Sequence, residues 1–141
     1  MSTISELTTE MSTTIKELES NLTNWSPEMI STATMKLAIL NITLAVRVAE
    51  LELDANSVKT AREIEEANAF LKFREKGSSI ADAEKQTKLE TQELKNDELK
   101  ADAQYKKIRA ISIHTSSLIS TAQSHLKAVL SDRINLQTDN K

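Results

Sequence analysis

Pro27 and Gly77 are the one proline and the one glycine in a chain of 141 residues. An ordinary domain carries about 5% Pro and 7% Gly. Sheet folds place these residues at their corners, because turns need a fixed or a positive φ. A sheet architecture is therefore not expected, and the fold class is predicted to be all-α. The two residues also mark the joints. Ser26-Pro27-Glu28 reads as a helix start, with Ser26 capping, Pro27 at the position whose amide is not needed, and Glu28 at the positive end of the helix. Gly77-Ser78-Ser79 reads as a left-handed helix end followed at once by a new cap at Ser79, supported by Asp82.

Between the joints nothing stops a helix. Ile4, Leu7, Met11, Ile15, Leu18 and Leu22 recur every three or four residues, so the N-terminal segment is a helix with one apolar stripe. Thr3 and Glu6 have the spacing of a capping box at its start. Trp25, just before the cap of the next helix, reads as a hydrophobic staple or, alternatively, as a stacking platform for a base. Two helices of about 50 residues follow, one from Pro27 to Lys76 and one from Ile80 to about Leu136. Each would be about 75 Å long at 1.5 Å per residue. Helices of that length point to a coiled-coil arrangement.

A tight reversal at Gly77 makes the long helices antiparallel and sets residue i roughly opposite residue 156 − i. Both partners are apolar over 29–53 and 103–127, the second supplying Tyr105, Ile108, Ile111, Leu118 and Leu126 among others. Both are polar over 54–102, with a thin seam of Val58, Ala61, Ile64, Leu71, Leu89, Leu94 and Leu99. The expected organisation is one helical domain: a body from 3–53 and 103–136, a hairpin stalk from 54–102, and a disordered tail at 137–141. The stalk holds 9 Lys and Arg against 12 Asp and Glu, and so carries the whole net charge of −3.

The run from Met35 to Leu53 is the most demanding part of the chain. One stripe along it is Ile30, Ala33, Leu37, Leu40, Leu44, Val48 and Leu51; a second is Met35, Ile39, Ile42, Val46, Ala49 and Leu53. A helix with two stripes needs neighbours on more than one side. Lys36, Arg47, Glu50 and Glu52 leave no stretch of about 20 apolar residues, so a membrane span is not expected. The expectation is self-association through Met35, Leu37, Ile39, Leu40, Ile42, Leu44, Val46, Val48, Leu51 and Leu53, with a compact monomeric three-helix body as the alternative.

No constellation suggests catalysis. The chain has no cysteine, which removes disulfides and thiolate chemistry and favours a reducing compartment. His114 and His125 share a helix face, but no carboxylate lies three or four residues from either, as helical metal sites use. Ser112, Ser116, Ser117, Ser120 and Ser124 surround His114 without anything to form an oxyanion hole, and fit a polar seam or a close helix approach better. Glu50, Glu52, Glu63, Glu65 and Glu66 alternate with Lys59, Arg62 and Lys72, as on a solvated helix face. The expectation is a protein that is not an enzyme, with no cofactor and no metal. The stretch Tyr105-Lys106-Lys107-Ile108-Arg109, with Lys127 further along, is the candidate for phosphate contact. A net charge of −3 and the lack of interleaved aromatics weigh against nucleic acid as the main partner.

The turn KGSSIADAEKQTK (Lys76 to Lys88) and the stretch LKADAQYKKIRAISIHTSSLISTAQSHLKAVLSDR (Leu99 to Arg133) together resemble a type of small phage-encoded coiled-coil protein. That type shares a polar hairpin ending in Gly-Ser, then Ala-Asp-Ala-Glu, then a Tyr-containing helix ending in Ser-x-Leu-Lys. The likeness covers the C-terminal half to two-thirds of the chain and brings no functional residues with it. It implies a gene neighbourhood of replication and recombination functions. The expected role is an oligomeric accessory module in the host cytoplasm that binds a protein of recombination, replication or host defence. The alternatives are an oligomeric DNA-binding accessory or a structural scaffold. The first segment has no basic residue before Lys16 and no apolar core of its own, so no secretory signal is read there.

Overall fold

The computed structural model describes residues 2–139, and every regular element among them is a helix. In chain order these are α1 (Ile4–Asn21), α2 (Pro27–Glu75), α3 (Ile80–Glu90) and α4 (Gln92–Asp139). The joints form as the sequence predicts. At α1 the Glu6 amide donates to Thr3 Oγ1 and the Thr3 amide donates to Glu6 Oε2, both at 3.1 Å. At α2 the Met29 amide donates to Ser26 Oγ at 3.3 Å. Gly77 has φ +92°, and the amides of Gly77 and Ser78 reach back to the carbonyls of Arg74 and Phe73 at 3.0 and 3.1 Å. That is a Schellman end, which satisfies carbonyls the helix would otherwise leave bare. Ser79 then caps α3 through the Asp82 amide.

The expected third long helix is interrupted at Thr91. This residue has φ −100° and ψ 10°, and separates α3 from α4. Its amide and its hydroxyl both donate to the Thr87 carbonyl, at 2.9 and 2.8 Å. Its own carbonyl accepts from the Lys95 amide at 3.0 Å, so the residue closes α3 and opens α4. No Gly or Pro is required, which is why composition gave no warning. At the other end α4 continues to Asp139, into the tail expected to be disordered; Asn140 and Lys141 lie outside the described residues.

The chain forms two compact units, Met1–Arg47 with Ile108–Lys141, and Val48–Lys107. In the first, the core is Leu7, Met11 and Leu18 of α1, Ile30, Leu37 and Leu44 of α2, and Ile108 and Ala122 of α4. Three threonines are buried with them: Thr14, Thr34 and Thr115. Each donates its hydroxyl to the carbonyl four residues earlier, at 2.7–3.0 Å. Burial therefore leaves no orphaned donor, and the short side chains let the helices approach closely.

The second unit is closed by smaller residues than the sequence suggested. Ala55, Ala69, Ala83, Thr87 and Thr91 are the buried positions. Ile64, Leu71, Leu89 and Leu99, expected in the seam, are all more than half exposed, and Ala61 is exposed too. Val58 and Leu94 keep partial cover. Arg62, expected on the solvated face, lies at the seam with a side chain only 12% exposed, paired with Glu98. Thin alanine and threonine layers bring the backbones together, and the larger aliphatics are left on the neighbouring face.

Candidate interaction surface on α2

Within the first unit α2 has two unlike faces. Ile30, Thr34, Leu37 and Leu44 point inward and are buried. Asn41 belongs to the same row by its spacing of four from Leu37 and three from Leu44. Its amide nitrogen donates to Ser116 Oγ at 3.0 Å, and Ser112 Oγ donates to its carbonyl oxygen at 2.9 Å. One asparagine thus answers two hydroxyls of α4. By sequence those serines fit a polar seam or a close helix approach, and nothing in their pattern points to Asn41. The missed signal is the heptad position it occupies among buried neighbours.

The opposite face is bare. Met35, Ile39, Ile42 and Val46 are 57–68% exposed. At about 100° per residue, Ile39 is turned roughly 200° from Leu37, and Ile42 the same from Leu44. Burying the inward row therefore turns the outward one to solvent. Met35, Ile39 and Leu40 line a shallow groove there with Ser31, Thr32 and Lys36. In the second unit Leu53 is 68% exposed as well.

The ten residues expected at an oligomer seam thus divide. Leu37 and Leu44 are fully buried inside the fold and have no surface for a partner. Leu40, Val48 and Leu51 are half-buried. Met35, Ile39, Ile42, Val46 and Leu53 stay free to be covered. Full burial of such a side chain contributes about 1.5–3 kcal/mol.

α2 also contains a stretch long and apolar enough, by length and composition, to cross a membrane. This differs from the sequence expectation, which required about 20 residues without charge; an 18-residue stretch holding at most two charged side chains meets the looser condition.

The other candidates are dispersed. Lys106 is held by Asp102 at 2.8 Å, and that hydrogen bond raises its pKa above the ordinary lysine value. Lys107 is exposed in the second unit, and Arg109 and Lys127 are exposed in the first. His114 lines a groove with Lys16, Glu19 and Ile111. His125 is half-buried. No group of three or more His, Asp or Glu side chains among the described residues is placed to hold a metal ion. Trp25 is half-buried and lines a groove with Thr14, Met29 and Ala33. Glu63 and Glu66 lie at 3.8 and 2.8 Å from Arg62.

Comparison with protein-family models, with curated proteins and with solved structures finds no match to this chain.

Proposed function

We propose that this protein acts without catalysis, as a self-associating helical module that binds another protein. The observation that carries this reading is the exposed row Met35, Ile39, Ile42 and Val46, set at coiled-coil spacing on a helix whose other face is fully used. The proposed architecture is an antiparallel helical coiled coil. In the second unit Lys72 meets Glu90 and Arg62 meets Glu98, so partners rise in number on one side as they fall on the other. In the first unit Glu28 meets Arg133 and Asn41 meets Ser116, in the same opposed order. The likeness to phage-encoded coiled-coil proteins supports a partner from recombination, replication or host defence, met in the host cytoplasm.

Sedimentation velocity on the purified chain tests the first step. An oligomer that Ile39→Glu with Ile42→Glu converts to monomer supports the reading, and a monomeric wild type overturns it. Affinity capture from infected and uninfected cells tests the second, where recovery of no protein above background counts against a protein partner.

A second reading has the apolar length of α2 in its favour: association with a membrane. It requires Leu37 and Leu44 to leave the core of the first unit, and Lys36 and Arg47 to find water or lipid headgroups. Flotation with phosphatidylcholine vesicles separates the two readings, since the self-associating protein stays at the bottom of the gradient.

A further inference from the structure

We infer that the second unit takes an arginine-bearing peptide segment in an acidic groove between α2 and α3. This rests on the protein-binding half of the proposed function and names the partner's chemistry; it does not require self-association. α2 lines the groove with Glu63, Glu66 and Phe70, and α3 lines it with Glu84, Thr87 and Lys88. Steps of three and four bring each set onto one side of its helix. The groove has a volume of about 610 Å³, within the range of about 300–1,000 Å³ that ligand pockets occupy. Its buried member, Thr87, points to a ligand. Thr87 is only 6% exposed, and its hydroxyl is the one buried side-chain polar group without a hydrogen-bond partner among the described residues. Thr14, Thr34, Thr91 and Thr115 are buried too, and each donates to the carbonyl four residues earlier. Thr87 has the same choice at Ala83 and does not take it. A threonine in a helix divides between two rotamers, so this hydroxyl is able to turn to a group in the groove. Left unpaired it costs stability, which an N–H brought by a ligand restores.

Charge selects the occupant. Three carboxylates line the groove against one ammonium, that of Lys88. Arg62 touches Glu63 and Glu66 but is shared with Glu98, and Glu84 has no ion pair among the described residues. A metal ion does not fit, because no three of these carboxylates are placed to share one. At 1.5 Å per residue, Glu63 and Phe70 are about 10 Å apart along α2, the length of a short run of chain and not of one ion. A guanidinium answers each part of this lining. It is planar, carries five donors for carboxylate and hydroxyl oxygens, and stacks on an aromatic face such as that of the half-buried Phe70. A lysine ammonium is a point charge with three donors and has no plane to stack.

Fluorescence anisotropy with a labelled arginine-rich peptide tests this, beside the same peptide carrying lysine in place of arginine. The arginine peptide is expected to saturate the chain and to bind about threefold or more tighter than the lysine peptide. Glu84→Gln is expected to weaken it about threefold to fivefold. Glu93→Gln removes the same charge from an exposed side chain of α4 outside the groove, and is expected to leave the affinity unchanged. Thr87→Val is expected to weaken the peptide about fivefold. The same variant should raise the urea midpoint of the unliganded chain, because the hydroxyl it removes has no partner there. Equal affinity for the two peptides, a loss with Glu93→Gln as large as with Glu84→Gln, or an unchanged affinity in Thr87→Val overturns the inference. Failure of the arginine peptide to bind overturns it too, and leaves self-association through α2 standing. A chain that sediments as a monomer yet binds the arginine peptide overturns that self-association and leaves the groove standing.

Discussion

Arg62 and Glu98 meet in the second unit with side chains only 12% and 13% exposed. Arg62 also reaches Glu66 at 2.8 Å, and Lys95 joins Glu98 at 3.3 Å. A pair this withdrawn from water has already lost much of its hydration, so removing one partner leaves the other only its more exposed neighbours, Glu63 and Glu66 for Arg62 and Lys95 for Glu98. Arg62→Ala and Glu98→Ala are each expected to lower the urea midpoint. Arg62→Leu combined with Glu98→Leu is expected to recover most of the loss, because apolar side chains of similar size fill the seam without desolvated charge. A double-mutant cycle in urea checks this.

The same pair sets an acid limit. The hydrogen bond from Arg62 holds the Glu98 carboxyl below the usual carboxylate range, with Lys95 adding to it. A carboxyl with a lower pKa in the folded state stabilises the fold at pH values above its unfolded pKa. That stability is lost as pH falls through the lower folded value. Stability should therefore decline below about pH 4.3, the ordinary Glu value. Glu98→Gln should flatten this decline, and thermal melts from pH 7 to pH 3 measure it.

The two faces of α2 predict opposite phenotypes. Leu37→Ala or Leu44→Ala removes a fully buried side chain and should cost about 2–5 kcal/mol of unfolding free energy. Ile39→Ala or Ile42→Ala touches exposed side chains and should change the stability of the isolated chain by less than about 0.5 kcal/mol. The second pair should still weaken association. Denaturation at low protein concentration, compared with sedimentation, separates the two effects.

Gly77→Ala isolates a backbone term. A methyl group at this position meets nothing within 4 Å, so sterics with neighbours cost nothing. The φ of +92° remains unfavourable for an L side chain, and the expected loss is about 1–2 kcal/mol. Asn at the same position should lose less, because it tolerates positive φ better than other residues. Guanidinium melts of the two variants give the order.

The caps and joints of this fold are legible in the sequence because they are local. Thr3 with Glu6, Ser26 with Pro27, and Gly77 with Ser79 each act within a few residues, and each forms as its chemistry requires. Which residue of a long helix faces inward is not local. Ile64 and Leu71 look like seam residues by size, yet Arg62 and Ala69 take those places, since backbone approach at alanine and one ion pair decide the rotation of the helix. Thr91 escapes for a related reason: a helix break made without Gly or Pro is invisible to counts of them. The interaction surface was half legible. The two stripes of α2 could be written down, but only the folded chain separates Leu37 and Leu44, which are spent, from Ile39 and Ile42, which are not.

The reversal at Gly77 has a consequence for how quickly the chain finds its fold. Arg62 and Glu98 are 36 residues apart, and Asn41 and Ser116 are 75 apart, both across the turn at Gly77. Loop-closure entropy grows only slowly with length, about 0.6 kcal/mol for each doubling. Once Arg62 has met Glu98, the stretch still to be closed before Asn41 reaches Ser116 is about half of the original 75 residues. Contacts near the turn therefore lower the closure cost of later ones by about 0.6 kcal/mol, which favours folding outward from Gly77. A defect at that glycine should slow folding as well as weaken the folded state, whereas a defect near the ends of α1 or α4 should act mainly on the unfolding rate.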